Sequence, residues 1–159
     1  MTQWLHAAVA LLATATISTF LVSTLLVELF GSPESLVRVK ALIVTPGLLV
    51  LVPALVATAA SGVYLSRTRR GMLREAKIKR MPFIAANGLL VLVPCALFLN
   101  RWAAAGNFDV TFYTLQLLEI IAGAVNLVLM GLNIRDGMRM TAAGKTRAES
   151  AGAVGRDSA

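Results

Sequence analysis

The sequence predicts an all-α fold: an integral membrane bundle of four transmembrane helices with both termini in the cytoplasm. Three observations predict it. Apolar residues make up 57% of the 159 and charged residues only 14%, where a soluble domain carries about 25% charged. Mean hydropathy is +0.76 over 16.9 kDa, and a water-soluble domain of that size could not hide so much apolar surface. The apolar residues fall into four runs, 4–30, 41–64, 83–100 and 112–134, each long enough to cross a bilayer as a helix. Barrel strands of about ten alternating residues are absent, and in lipid each helix satisfies its own backbone.

The first run starts MTQWLH, without Lys or Arg. It exceeds the apolar length of a signal peptide, so an uncleaved helix is expected. Its hydroxyls, Thr14, Thr16, Ser18, Thr19, Ser23 and Thr24, can bond the carbonyl one turn back and keep the surface small for packing. Gly31-Ser32-Pro33-Glu34 ends it. Pro46 and Pro82 stand near the starts of the second and third runs, where a missing N–H costs least. Gly106-Asn107 and Asp109 supply turn chemistry before the fourth run. Residues 1–140 thus form one membrane domain, and the Ala/Gly/Ser-rich stretch 141–159 is expected to be a disordered cytoplasmic tail.

Orientation rests on the basic residues. Twelve of them lie in the 67–80 connector and from Arg135 onward; only Arg38, Lys40 and Arg101 lie at the opposite end. Cytoplasmic loops collect Lys and Arg, so both termini are expected inside, in a multi-pass arrangement. The same distribution explains a net charge of +7 without nucleic acid as a partner. The expected partners are the lipid bilayer and, at the basic 67–80 connector, anionic lipid head groups. Trp4, Tyr64, Trp102, Phe108, Phe112 and Tyr113 fall where aromatic belts would.

Two features exceed topology. Gly47-Leu48-Leu49-Val50-Leu51-Val52-Pro53 recurs as Gly88-Leu89-Leu90-Val91-Leu92-Val93-Pro94 in the next, oppositely directed run. Leu and Val favour chance matches; the shared Gly and Pro are the informative part, and each proline frees a carbonyl within its helix. The fourth run carries Glu119, Asn126 and Asn133 seven apart, with Gln116 and Gly123 beside Glu119. Seven residues fall about 20° short of two turns, so this polar set shares one face. Such a face turns away from lipid, toward the bundle or a partner.

Glu119 is expected about 10 Å inside the outer boundary, where an ionised carboxylate must be paired, wetted or protonated. Two readings stay open: a proton or cation site, or a group that fixes helix register by pairing with a hydroxyl or Arg. Glu28 reads as an interfacial carboxylate for Arg38 or Lys40, or as a second carboxylate beside Glu119. Arg101 waits at the same end. At the cytoplasmic end, His6, Asn87 and Asn133 could cluster, and His6 could serve as one axial haem ligand. One histidine and one cysteine, Cys95, leave no metal cluster within the chain. No nucleophile–base pair or phosphate loop is legible either, so neither an enzyme nor a resident cofactor is expected.

The stretch Lys79-Arg80-Met81-Pro82-Phe83-Ile84, Asn87-Gly88, Phe108-Asp109, Phe112-Tyr113, Gln116, Glu119, Met130-Gly131-Leu132-Asn133 and Arg135-Asp136-Gly137 resembles a family of uncharacterised small four-helix bacterial integral membrane proteins. The resemblance implies the bacterial cytoplasmic (inner) membrane and supplies no activity. Three functional readings follow in order. The first is a structural or accessory subunit of a membrane assembly, as homo-oligomer or part of a larger complex. The second is a small proton-coupled or cation transporter using Glu119. The third is a haem-binding electron carrier through His6.

Overall fold

In a computed structural model, the backbone is described for residues 2–67 and 80–157. All described elements are helical: α1 (Thr2–Phe30), α2 (Pro33–Leu42), α3 (Leu49–Arg67), α4 (Val93–Ala104) and α5 (Val110–Asp157). A π-helical segment, Ile43–Leu48, joins α2 to α3, and a second, Asn87–Leu92, leads into α4. Four helical stretches are long and apolar enough to cross a membrane: Trp4–Phe30, Pro33–Gly62, Arg80–Ala104 and Val110–Arg139. The basic 67–80 connector lies almost wholly outside the described residues.

Successive spans run antiparallel. The turns at 31–32 and 105–109 mark one end, the hairpin end, and the N-terminus marks the other, the terminal end. The hairpin turns are set by local chemistry. Ser32 Oγ accepts from the Ser35 N–H at 3.3 Å with Pro33 in the first helical turn. Asp109 Oδ1 accepts from the Phe112 N–H at 2.9 Å, so both helices begin on a side-chain cap. Gly106 takes φ +70°, the left-handed conformation that closes α4.

The surface is apolar and the interior holds the polar groups. Trp4, Phe30, Phe83, Leu90 and Val110 are exposed. Thr24, Lys40, Gln116, Asn126, Asn133 and Asp136 are buried. That inversion suits a chain whose surroundings are hydrocarbon. Two apolar clusters fill the bundle. Ala13, Ile17, Leu51, Ala54, Leu55, Ile84 and Met130 pack toward the terminal end. Leu36, Leu99, Ala103 and Phe112 pack toward the hairpin end. Phe112 is a core residue rather than part of an aromatic belt, edge-on to Phe108 and Tyr113 at 5.2 and 5.5 Å.

Three sequence expectations change. The second span starts at Pro33, not 41, because Ser32-Pro33 caps a helix ahead of the apolar run. Pro46 therefore lies inside a span, where it breaks the helix: Thr45 is extended (φ −135°, ψ 112°) and the Thr45–Pro46 peptide is cis. Finally, α5 continues to Asp157 where a disordered tail from 141 was expected. Its Ala, Lys, Arg and Glu are good helix formers, and they extend a helix already nucleated by the span.

The repeated heptapeptides meet the two π-helical segments. A Cβ on Gly47 would run into the Phe20 ring, and one on Gly88 would lie 2.8 Å from Leu55 Cδ1. Both glycines are thus points of close helix approach.

Candidate functional site

Between Gln116 and Asp136 the polar face of α5 turns inward: Gln116, Asn126, Asn133 and Asp136 are buried. Lys40 decides its chemistry. Leu36, Lys40 and Ile43 share the inner face of the second span, all buried. Lys40 is 0% exposed, and its Nζ donates to Glu119 Oε2 at 2.5 Å. Lys40 stands about 10 Å along its helix from Pro33, and Glu119 about 14 Å along α5 from Val110. The ion pair thus lies within the span, between the two apolar clusters, and ties the second span to the fourth.

A second link joins the first span to the fourth. Gln116 Nε2 donates to Glu28 Oε2 at 2.5 Å. Glu28 takes this amide rather than Arg38 or Lys40, and Gln116 stands one turn from Glu119 on α5. Arg101 remains on the surface. Beside the pair lies a cavity of about 40 Å³, bordered by Phe20, Thr24, Leu48, Glu119 and Gly123 among others. It adjoins the broken segment of the second span, since Ile43 and Leu48 also line it. A cavity of roughly 10–15 Å³ holds one water; by volume this one holds two or three, and Thr24 and Glu119 are the lining residues with polar side chains to bond them.

Toward the terminal end the polar residues diverge. Asn87 Nδ2 donates to the Ala122 carbonyl at 2.8 Å. His6 Nδ1 lies 2.8 Å from Ser61 Oγ. Asn133 is buried on α5, and its Oδ1 has no partner within the protein. The bonds of His6 and Asn87 run to Ser61 on α3 and to the backbone of α5, respectively. Asn126 is 0% exposed, with neither Oδ1 nor Nδ2 bonded to protein. One turn past Asn133, Asp136 Oδ2 accepts from Arg80 Nη1 at 2.8 Å, with Arg135 Nε at 3.5 Å from its other oxygen. Among the described residues, no three His, Cys, Asp or Glu side chains gather as a metal site would need.

Sequence reasoning placed Gln116, Glu119, Asn126 and Asn133 on one face, set Lys40 at the outer end with Arg38 and Arg101 rather than within the span, and missed Asp136. Two signals were present. Ser32-Pro33 moves the helix start forward and puts Lys40 in register with Leu36 and Ile43. Adding three to Asn133 continues the stripe to Asp136. Gly123 was expected to sit against another helix, but a Cβ there would meet only Leu21 Cδ1, at an ordinary 3.7 Å.

No family model matches the chain, and no curated protein or solved structure does.

Proposed function

We propose that the chain is a small multi-pass membrane protein that transfers protons, with Glu119 as the group that takes them up and releases them and Lys40 as its fixed counter-charge. One observation carries the reading: an ion pair buried inside the bundle and open, on the carboxylate side, to a cavity large enough for water. A buried ion pair adds little to stability over well-packed apolar residues, and ionisable residues at this depth mark proton and ion paths.

The chemistry is short. A proton reaching Glu119 through the cavity neutralises the carboxylate. Lys40 keeps its proton and remains the fixed positive charge beside the site. Release of the proton from the Glu119 carboxyl back to cavity water restores the ion pair. One proton has entered and one has left.

The test is proton flux into vesicles of the reconstituted protein, read with an internal pH dye under an imposed potential. Glu119→Gln keeps an acceptor for Lys40 and removes ionisation. Flux should fall by about tenfold or more while the variant still inserts as a folded protein. Wild-type flux in that variant would end the reading.

A second reading, a structural or accessory subunit, is favoured by a different observation. The two hairpin-end links join the fourth span to the first and to the second, which would clasp a bundle without moving charge. On that reading Glu119→Gln keeps full function.

The residence proposed is a bacterial inner membrane with the terminal end in the cytoplasm, supported by the twelve-to-three distribution of basic residues. A cysteine at Asn107 should then react with an impermeant thiol reagent from outside, and Cys95 is buried. Reaction only after lysis would reverse the orientation.

A further inference from the structure

Beyond the ion pair, the inner face of α5 carries a second anomaly. The buried side-chain atoms with no protein partner, among the described residues, are Gln116 Oε1, both polar atoms of Asn126, and Asn133 Oδ1. All belong to one face of one helix. A buried polar group left unbonded costs about 1–3 kcal/mol. In soluble proteins and bundles alike the usual relief is ordered water, each molecule making about three hydrogen bonds.

Asn126 lies about 10 Å along the helix from Glu119, and the cavity beside Glu119 is bordered by Gly123, one turn short of Asn126. Gly88 packs beside the Asn126 amide: a Cβ there would stand at contact distance from Nδ2, 3.6 Å, and 2.8 Å from Leu55 Cδ1. From Gln116 to Asp136 the face rises about 30 Å, the thickness of the hydrocarbon core. It ends on the Arg80–Asp136 pair, where Arg80 is partly exposed.

We propose that water bound at Asn126 extends a proton path from Glu119 toward Asn133 and Asp136. This rests on the proton-transfer reading above. Asn126 gives up no proton of its own. Its Nδ2 donates to one water and its Oδ1 accepts from another, which orients the file. Each water takes a proton from one neighbour and passes one to the next, so nothing in the file is consumed.

Two measurements test it. The first is water-to-amide magnetisation transfer by solid-state NMR in bilayers, on protein labelled with ¹⁵N-asparagine and assigned by an Asn126→Ser control. The Asn126 side-chain amide should receive the water signal; its absence there overturns the proposal whatever the flux. The second is vesicle flux. Asn126→Leu fills the site with hydrocarbon and should lower flux about tenfold or more, while Asn126→Ser, which leaves room for one more water, should stay within about threefold of wild type. If Glu119→Gln abolishes flux and a folded Asn126→Leu leaves it unchanged, the water path is wrong and the Glu119 reading stands. If Glu119→Gln conducts normally, the Glu119 reading itself falls. If Asn126→Leu does not fold, Asn126→Ser flux and the amide signal decide.

Discussion

The two halves of the inner face of α5 treat polarity differently. Near the hairpin end, Gln116 and Glu119 each reach a charged group on another span, Glu28 and Lys40. In the middle of the bundle, Asn126 reaches no protein group, and Asn133 leaves its carbonyl oxygen unbonded. The difference follows from cost. An unpaired charge in a low-dielectric interior is worth several kcal/mol, so charges occur there with a partner. A neutral amide costs less, and one or two water molecules satisfy it. The hairpin half is held by direct bonds between helices, with Gln116 Oε1 left over, whereas the middle sets its amides among buried apolar side chains.

The largest expected effect comes from breaking the paired half on one side. Lys40→Met leaves Glu119 without its cation and should cost about 3–5 kcal/mol, read as denaturant unfolding in mixed micelles. Lys40→Met combined with Glu119→Leu should return to within about 1 kcal/mol of wild type, because an apolar pair replaces an ionic one. A double variant as unstable as the single would show that the ion pair itself supports the bundle.

A smaller effect separates two glycines that flank the middle. Gly88→Ala forces Leu55 to shift and should cost about 1–3 kcal/mol. Gly123→Ala meets only Leu21, at 3.7 Å, and should stay within about 0.5 kcal/mol. Equal costs would mean that the space beside Gly123 is not there.

A modest loss is expected at the far end. Asp136→Asn removes the partner of Arg80, but Arg80 is 27% exposed and can turn its guanidinium to water or head groups. About 1 kcal/mol is expected, against the larger loss at Lys40. A loss as large as that of Lys40→Met would make Arg80–Asp136 a second fully buried pair in effect.

Much of this architecture was legible in the residues. Four apolar runs gave four spans, and the spacing of Glu119, Asn126 and Asn133 gave the inner face. What escaped notice was set by boundaries and by partners. Lys40 looks like a loop cation until Ser32 is recognised as a cap, after which it lies about two turns inside a helix. Pro46 reads as a helix start for the same reason, and becomes an internal break once the start moves to Pro33. That Glu28 bonds Gln116 rather than a basic residue depends on how α1 crosses α5, which no pattern within either segment records. Asn126 is the clearest case. Its position on the stripe follows from periodicity, but its want of a partner is a property of what the other three spans fail to offer.

The length of α5 has a mechanical consequence. The helix is continuous from Val110 to Asp157, 48 residues, or about 72 Å. The part beyond Arg139 projects about 27 Å past the apolar span. Its backbone is helical to Asp157, so the projecting part follows the direction of the span that bears Glu119. A tilt of about 10° in the span would carry its tip sideways by about 5 Å.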